Sequence, residues 1–424
     1  MGDNKFPQPP KRRLASPARR KVVETVGAGL ASGLLFGRAQ AATTAAPLAV
    51  DAWTTQPGEP TGWHPYGVPS PFEKDVVRRF PQPPKMPGSA WTLTPLADLF
   101  GTITPSGLIY ERHHGGIPQI DPDQHRLVIH GLVRRPLEFT MDDLVRFPSV
   151  TRTHFLECSG NTASEWAGPS GLPVQMTHGL LSCAEWTGVP LATLLDQVGV
   201  EPAGKWLLAE GADAAAMTRS LPLDRILETA IVVYAQNGER LRPETGYPVR
   251  LLIPGYEGNT NVKWLRRLKL VDGPVMSREE TSRYTGLLPN GKARQFAFEM
   301  DVKSVITRPS PGHRLATQGF HAISGLAWSG RGKIVRVEVS TDAGKTWRDA
   351  QLQGPVLALS LTRFMVDWRW DGGPAVLQSR ATDSAGNVQP VREVLVAARG
   401  LNSYYHYNAI QSWTVTTDGE LRNA

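Results

Sequence analysis

The chain has 424 residues, more than one ordinary domain holds, so two or three domains are expected. Its 41% hydrophobic and 20% charged residues exclude an intrinsically disordered protein. The 35 prolines and 41 glycines indicate many turns and short elements, which favours a β-rich or mixed protein over a helix bundle.

A formal net charge of +7 could indicate nucleic-acid binding, but the excess is confined to one end of the chain. Residues 1–41 contain eight basic and two acidic residues, so this segment carries +6 and the remaining chain about +1. Because the positive charge belongs to a leader and not to a binding surface, a nucleic-acid partner is not expected.

The leader has the three parts of an export signal. A charged region at 19–21 (Arg-Arg-Lys) precedes a mildly apolar stretch at 22–36, and residues 39–41 (Ala-Gln-Ala) resemble a cleavage site. The paired arginines predict twin-arginine export to the periplasm, with residues 1–41 as the signal peptide. The alternative is a membrane anchor, but Glu24 and several glycines interrupt the apolar stretch, which is shorter than the ~20 residues that span a bilayer. No later membrane span is expected in the mature chain.

Residues 42–95 are rich in proline, glycine and tryptophan and show no sustained helical or strand period. This composition predicts an extended N-terminal arm that lies over a domain or wraps around a partner. The alternative is a flexible N-terminus of the mature chain.

Residues 96–295 alternate between strand and helix patterns without regular βαβ repeats. A helix is predicted at 191–198, where apolar residues recur at helical spacing between Pro190 and Gly199, and Thr140 followed by Asp143 predicts a capped helix start. Apolar runs predict strands at 127–129, 155–158, 206–208, 231–234 and 249–253. The sequence has no phosphate-binding loop and no GxGxxG motif, which excludes the simplest nucleotide-binding folds.

The segment 154–166, HFLECSGNTASEW, is where we place the functional centre. An apolar run leads into Cys158, and the small and polar residues after it allow a sharp turn that leaves backbone N–H groups free to face a ligand. The thiol is therefore expected on an exposed turn at the mouth of a sheet. The second cysteine, Cys183, lies 25 residues away, so a disulfide, an inert thiol and a functional thiol all remain open.

The pattern changes to short strands and turns over residues 296–400. Valines at alternate positions of 335–339 predict a half-buried strand, residues 340–345 supply a turn, and 376–381 repeats the scheme. This arrangement predicts an immunoglobulin-like β-sandwich. Residues 401–424 form an aromatic tail that packs on another surface or on its own domain.

Five segments, in order, resemble the sulfite-oxidase family of molybdopterin enzymes over nearly the whole mature chain. They are IYERHHGGIP around Arg112, FLECSGNTASEW around Cys158, GYPVRLLIPGYEGNTNVKWLRR at 246–267, SREETSRYTG around Tyr284, and the STDAGKTW hairpin. Within the family, the chain is most similar to the molybdenum subunit of sulfane dehydrogenases. The resemblance implies an α+β protein, with a mixed α/β molybdopterin-binding catalytic domain at 96–295 and an immunoglobulin-like dimerisation domain at 296–400.

The resemblance implies that the Cys158 thiolate coordinates molybdenum beside the dithiolene sulfurs of molybdopterin, while Cys183 matches no functional position. Thiolate is a soft ligand that suits such a redox metal. Tyr284 matches the family's active-site tyrosine, which can donate to a developing oxyanion and pass a proton, and Arg112 is the third expected catalytic residue. The implied contacts with the molybdenum cofactor are Tyr110, Arg112, His113, His114, Asp213, Thr245, Arg250, Asn261, Val262 and Lys263.

Several of these residues also have structural interpretations. Arg250 and Lys263 could be solvated charges or members of salt bridges, and Tyr284 could be packed in a loop. His113 and His114 are adjacent on a predicted strand and face opposite ways, so they are not expected to ligate one metal together.

The chain departs from the family where the substrate binds. Sulfite oxidases have paired arginines just after the cysteine motif, whereas this chain has Thr162 and Ala163. A second substrate arginine, from the C-terminal domain, could correspond to Arg363 or Arg369 or be absent, and Thr245 replaces a frequent histidine. A substrate pocket with fewer cations binds a small free dianion such as sulfite less well. It is better suited to a sulfur atom presented by another protein.

The implied reaction releases electrons that this chain is not expected to store. The sequence contains no CxxCH haem-attachment motif and no cysteine set for an iron–sulfur cluster, so no haem is expected in the chain and a separate c-type cytochrome subunit is the expected acceptor. The arm and the aromatic tail are candidates for holding it, and a homodimer within a hetero-oligomer is expected. Three functions follow: a sulfane dehydrogenase that acts on a sulfur-carrier protein's modified cysteine, a sulfite dehydrogenase, and a cofactor-free binding protein.

Overall fold

The computed structural model describes residues 66–80 and 88–424. The predicted export signal at 1–41 and most of the predicted arm at 42–95 lie outside the described residues. Residues 69–424 belong to one compact unit. Within the described part of the chain, no helix has both the length and the apolar character needed to cross a membrane.

The N-terminal half combines short helices with strands. In chain order its elements are β1 (Ala90–Trp91), β2 (Arg112–His113), β3 (Leu127–Gly131), β4 (Leu137–Phe139), α1 (Met141–Arg146), β5 (Val150–Glu157), α2 (Val174–His178), β6 (Leu181–Pro190), α3 (Leu191–Val198), β7 (Trp206–Gly211), β8 (Thr218–Pro222), α4 (Leu223–Ile226), β9 (Ile231–Gln236), β10 (Glu239–Arg240), β11 (Arg250–Leu252), β12 (Leu265–Val271), α5 (Arg278–Thr281), β13 (Gly286–Leu287) and β14 (Ala293–Arg294).

Two five-stranded sheets organise this half. One has the order β10–β9–β6–β5, with β11 also paired to β9, and all of these pairs are antiparallel. The other has the order β4–β3–β12–β7–β8, in which β12 runs parallel to β3 and antiparallel to β7. Helices set beside mainly antiparallel strands confirm the predicted α+β class.

Local signals explain the two helices that the sequence predicts. The Thr140 side chain accepts a hydrogen bond from the Asp143 backbone, and the Asp143 carboxylate accepts one from Thr140 in return, which forms a capping box at α1. Helix α3 buries its apolar stripe and ends at Gly199, whose φ of 66° is a left-handed conformation that favours glycine.

The C-terminal half is a β-sandwich. Its elements are β15 (Lys303–Arg308), β16 (Gly319–Trp328), β17 (Ile334–Ser340), β18 (Arg348–Asp349), β19 (Gln351–Leu352), β20 (Thr362–Trp370), β21 (Ala375–Asp383), α6 (Arg392–Arg399), β22 (Ser412–Val415) and β23 (Leu421–Asn423). One sheet has the order β15–β16–β20–β19 and the other β18–β17–β21–β22–β23. Phe155 and Cys183 share the sandwich core, so the two halves pack around continuous apolar contacts.

Strand β17 differs from the predicted alternation of buried valines. Val337 and Val339 are buried, but Val335 is 47% exposed and Ile334 is buried in its place. The pairing with β21 shifts register between Ile334 and Arg336. An irregularity of this kind changes which side chains face the core, and hydrophobicity alone does not reveal it.

The structure extends the sandwich beyond the predicted boundary at residue 400. Strand β22, inside the predicted tail at 401–424, pairs with β21, and β23 pairs with β22. Trp413 is fully buried, and its indole N–H donates to the Ile306 carbonyl at 2.9 Å. The second part of the aromatic segment therefore packs on its own domain.

Candidate active site

One cavity in the N-terminal half is lined by every residue that the sequence predicts as catalytic or cofactor-binding. These residues come from five separate segments of the chain, and they are Tyr110, Arg112, His113, His114, Cys158, Asp213, Thr245, Arg250, Asn261, Val262, Lys263 and Tyr284. Four of the five segments that resemble the family thus converge on one place, together with Asp213 and Thr245, whereas the STDAGKTW hairpin does not line the cavity.

Cys158 follows the last residue of β5 and is half-buried. Its backbone N–H donates to the Leu180 carbonyl at 3.0 Å, which fixes the turn. The thiol therefore belongs to the cavity wall and not to an exposed turn, and both cysteines are free. Burial raises the pKa of the Cys158 thiol, while Arg112 acts in the opposite direction. A bound metal ion would reverse this effect and deprotonate the thiol.

Gly258 allows the opposite wall to approach the Cys158 loop. A Cβ atom at this position would lie 2.9 Å from the Tyr110 hydroxyl and 3.4 Å from the Cys158 Cα atom. Glycine permits this close contact, so a larger residue here would displace the Tyr110 hydroxyl or the backbone of the Cys158 loop.

His113 and His114 point to different partners. Lys263 Nζ lies 2.8 Å from His113 Nδ1, and His113 Nε2 lies 2.7 Å from Glu111 Oε2. Because Lys263 donates to Nδ1, Nε2 carries the ring hydrogen and donates a hydrogen bond to the Glu111 carboxylate. Burial lowers the pKa of Lys263 well below its usual range, and Arg250 acts in the same direction. An anion in the cavity would relieve this electrostatic strain on Lys263.

His114 connects Arg112 to Tyr284. Its Nδ1 lies 3.4 Å from Arg112 Nη2, and its Nε2 lies 3.1 Å from the Tyr284 hydroxyl. Burial lowers the pKa of His114 to about 4, with Arg112 acting in the same direction, so the ring is neutral at neutral pH. With Arg112 donating to Nδ1, Nε2–H donates to the tyrosine oxygen. The Tyr284 hydroxyl hydrogen is then free to point into the cavity.

Tyr284 has a backbone conformation that residues other than glycine rarely adopt. Its φ of 50° is in the left-handed region, and the Arg219 guanidinium lies 5.2 Å from its ring centroid. Burial raises the pKa of Tyr284, and Cys158 acts in the same direction. The residue therefore presents a protonated hydroxyl.

Arg250 forms the base of the cavity. It donates to the Thr245 carbonyl at 2.7 Å and to the Asn261 carbonyl at 2.9 Å, and burial lowers its pKa to about 10. Its Nε atom and Asn259 Oδ1 are buried and have no hydrogen-bond partner among the described residues. Buried polar atoms in this state are unusual in a folded protein and are satisfied when a polar group enters.

The other predicted contacts complete the wall. Arg112 stacks on Trp91, with 5.6 Å from the guanidinium to the ring centroid, so the β1–β2 pair holds it in place. Asp213 accepts a hydrogen bond from the Met217 N–H at 3.2 Å. Val262 is buried in the core beneath the cavity.

Sequence reasoning missed a buried charge network under Tyr284. Arg219 lies 2.9 Å from both Glu257 and Glu280, and Glu257 lies 3.0 Å from His406. Sequence reasoning also missed several lining residues, which are Ile109, Leu156, Met217, Glu244, Gly258, Asn259 and Trp264. Five of these seven fall inside the segments quoted above and could have been taken from them, namely Ile109, Leu156, Gly258, Asn259 and Trp264.

The two arginines proposed from the C-terminal domain do not line the cavity. Arg363 donates to the backbone carbonyls of Leu99 and Gly101, and Arg369 is exposed on β20. At the position of the missing paired arginines, Thr162 is buried and its hydroxyl accepts from Lys303 at 2.8 Å. The described cavity wall therefore takes its cations from Arg112, Arg250 and Lys263.

The residues present fit a molybdenum cofactor. Among the described residues, no group of three or more His, Cys, Asp or Glu side chains could hold a metal ion. Cys158 would be the protein ligand of a metal in this cavity, and the dithiolene sulfurs of molybdopterin would supply further ligands. The buried cations and the unpaired atoms of Arg250 and Asn259 suit the phosphate and ring edges of such a group.

Comparison with known proteins agrees with this geometry. Residues 114–279 match the oxidoreductase molybdopterin binding domain, and residues 294–413 match the Mo-co oxidoreductase dimerisation domain. Sulfite oxidase from Gallus gallus is 32% identical over 343 residues, which cover 73% of this chain and 74% of that protein. The chain belongs to the sulfite oxidase family.

Other known proteins are also similar to the chain. A nitrate reductase from Hordeum vulgare is 33% identical over 69% of this chain and 37% of its own length, and the chain spans half of the Mus musculus sulfite oxidase. The crystal structure of the sulfane dehydrogenase SoxCD from Paracoccus pantotrophus has a TM-score of 0.87 and 48% identity, covering 88% of this chain and 97% of that chain. As a member of the sulfite oxidase family, the protein is a molybdenum oxidoreductase with a molybdopterin-binding domain.

Proposed function

We propose that the protein oxidises sulfane sulfur carried on a cysteine of a sulfur-carrier protein during thiosulfate oxidation, and passes the electrons to a c-type cytochrome. The observation that carries the proposal is its similarity to a sulfane dehydrogenase, at 48% identity over 97% of that chain, against 32% for sulfite oxidase. The absence of arginine at residues 162 and 163 supports the same substrate class.

The molybdenum cofactor, when bound, supplies two-electron redox chemistry at the sulfur. Cys158 would hold the metal, and Arg250 and Lys263 would bind the anionic part of the cofactor at the base of the cavity. The Tyr284 hydroxyl, which His114 orients, donates a hydrogen bond to the substrate oxygen that develops negative charge. For every oxygen atom that is transferred from water to the sulfur, two protons and two electrons are released.

Electrons must leave to another protein on this proposal. The 424 residues contain two cysteines and no CxxCH motif, so covalent haem attachment by that route is absent from this sequence. A periplasmic c-type cytochrome subunit is the proposed acceptor, and twin-arginine export is the proposed route of this chain, supported by residues 19–41. The match to a dimerisation domain supports a homodimer within the complex.

Steady-state assays test the proposal on the natively purified complex. We expect turnover with the thiosulfate-loaded carrier protein and weak turnover with free sulfite. Strong turnover of sulfite at micromolar concentration would favour the second candidate, a sulfite dehydrogenase, which the similarity to sulfite oxidases supports. Molybdenum near one per chain would exclude a cofactor-free binding protein.

The arm provides a test of the cytochrome contact. Residues 77–79 are attached to the N-terminal half, because Gln175 donates to the Val77 carbonyl at 3.1 Å and Arg78 pairs with Glu111. A deletion of 43–65 spares these contacts, which a deletion of 43–80 would remove. We expect the shorter deletion to release the cytochrome and retain molybdenum; full haem content after purification would contradict this role of the arm.

A further inference from the structure

Residues 404–406 lie against the loop that carries Cys158. The His406 backbone N–H donates to the Ser159 carbonyl at 2.8 Å. A Cβ atom on Gly160 would lie 3.2 Å from Cε1 of Tyr404 and 3.9 Å from the Cys158 sulfur. The Tyr404 ring is therefore a near neighbour of the thiol, although the two residues are far apart in the sequence.

Tyr404 and Tyr405 continue the aromatic surface that Tyr284 begins. The Tyr405 ring centroid lies 5.4 Å from that of Tyr284 and 5.1 Å from that of Tyr404. The base of this surface is fixed, because His406 is buried and paired with Glu257 at 3.0 Å. We call Tyr284, Tyr404 and Tyr405 the tyrosine wall.

The outer end of the tyrosine wall is open to solvent. Tyr404 is 60% exposed, and within the described residues its hydroxyl has no hydrogen-bond partner. A ring that packs against nothing on one side and stands beside the reactive centre can pack against a ligand.

The chemistry of the wall favours a polypeptide over a small inorganic anion. Aromatic faces pack well against peptide backbone and aliphatic side chains, and they provide no charge for a free dianion. One exposed cation, Arg283, precedes Tyr284. Burial raises the pKa of Tyr405 and lowers that of His114, and the Arg283 charge acts to lower the pKa of both residues. This combination suits an extended peptide that ends in an anionic sulfur group.

We propose that Tyr404, supported by Tyr405, contacts the polypeptide that flanks the sulfur-bearing cysteine and so determines specificity for a protein-borne substrate. The inference rests on the proposed function, since it specifies how that function's substrate is recognised. Tyr404 acts as a binding residue, and the reacting atoms are left to Cys158 and Tyr284.

The test uses the holoenzyme complex with two probes, a short synthetic peptide whose cysteine carries a persulfide and free sulfite. We expect Tyr404→Ala to lower kcat/KM for the peptide about tenfold, mainly by raising KM, with sulfite turnover unchanged. Tyr404→Phe keeps the ring and should retain the parent value. Phe320→Ala, on β16 and 75% exposed, is the matched control at a distant exposed aromatic residue.

Direct binding separates this inference from the proposed function. The same peptide with an unmodified cysteine cannot be oxidised at a sulfane sulfur, and its Kd should rise about tenfold in Tyr404→Ala. A parent enzyme that oxidises sulfite but not the persulfide would overturn the proposed function alone. Equal losses on peptide and sulfite, or an unchanged Kd for the peptide, would overturn the role of Tyr404.

Discussion

The Lys303 ammonium lies 3.0 Å from the Glu157 carboxylate, and both side chains are almost completely buried. Glu157 immediately precedes Cys158, whereas Lys303 begins the first strand of the sandwich. The carboxylate also accepts from the Trp328 indole at 2.6 Å and from the Asn161 amide at 2.9 Å. The turn that carries the thiol is thus anchored to the C-terminal half.

Removal of this lysine should destabilise the protein strongly. Lys303→Met leaves the Glu157 charge buried without its partner, so we expect a loss of about 3–5 kcal/mol in the free energy of unfolding. Denaturant unfolding measures this loss. Combining Lys303→Met with Glu157→Gln removes both charges and should recover part of the stability; a double variant no more stable than Lys303→Met would contradict the pairing.

Cys158→Ser should abolish turnover and change the coordination of the metal, because a hydroxyl is a poor substitute for a soft thiolate. Metal analysis and the spectrum of the metal centre provide the measurements. Cys183→Ala is the matched control, since this thiol is fully buried and contacts Ser360 at 3.3 Å. The control should keep its molybdenum, and unchanged turnover of Cys158→Ser would refute the ligand assignment.

Lys263→Met should weaken retention of the cofactor. The Lys263 amino group is held in the cavity by His113 and two backbone carbonyls, and an anionic cofactor would stabilise its positive charge. Molybdenum content after extended dialysis should fall relative to the parent. Lys269→Met, an exposed position on β12, makes the same substitution outside the cavity and should retain the metal. Equal retention in both variants would argue against an anion at Lys263.

His154 should make stability depend on pH. Burial lowers its pKa to about 4, although a hydrogen bond to the Leu359 carbonyl at 3.2 Å acts in the opposite direction. Below pH ~6.5 His154 is protonated in the unfolded chain but stays neutral in the folded chain. The free energy of unfolding therefore falls by about 3 kcal/mol as the pH is lowered towards 4. His154→Asn should reduce the slope of unfolding free energy over this range; an identical slope would contradict the lowered pKa.

Local signals predicted the elements that depend on neighbouring residues. The capping box at Thr140 and the end of α3 at Gly199 need only a few adjacent positions, and both are present. The exposed Val335 was not predictable, because the register shift depends on how β17 meets β21. The parallel pairing of β12 with β3 likewise joins strands from distant parts of the chain.

In the candidate site, too, the residues of contiguous motifs were predictable, whereas their long-range partners were not. Contiguous motifs brought Arg112, Cys158 and Lys263 to one cavity, as the resemblance implied. The buried ion pairs beneath the cavity were not predictable from the sequence, because Arg219 pairs with Glu257 and Glu280 across separations of 38 and 61 residues. Such pairs carry no pattern in a single sequence, since each charge alone resembles an ordinary surface residue.

The position of Tyr404 and Tyr405 has a consequence for how the protein folds. These residues complete the wall beside Cys158, yet all of the sandwich strands from β15 to β21 precede them in the chain. The tyrosine wall can therefore form only when the sandwich has brought this late segment back to the first half. Contacts of such long sequence separation form slowly. A fragment that ends after Tyr284, before the second matched region, would therefore keep every residue that lines the cavity but lack Tyr404 and Tyr405.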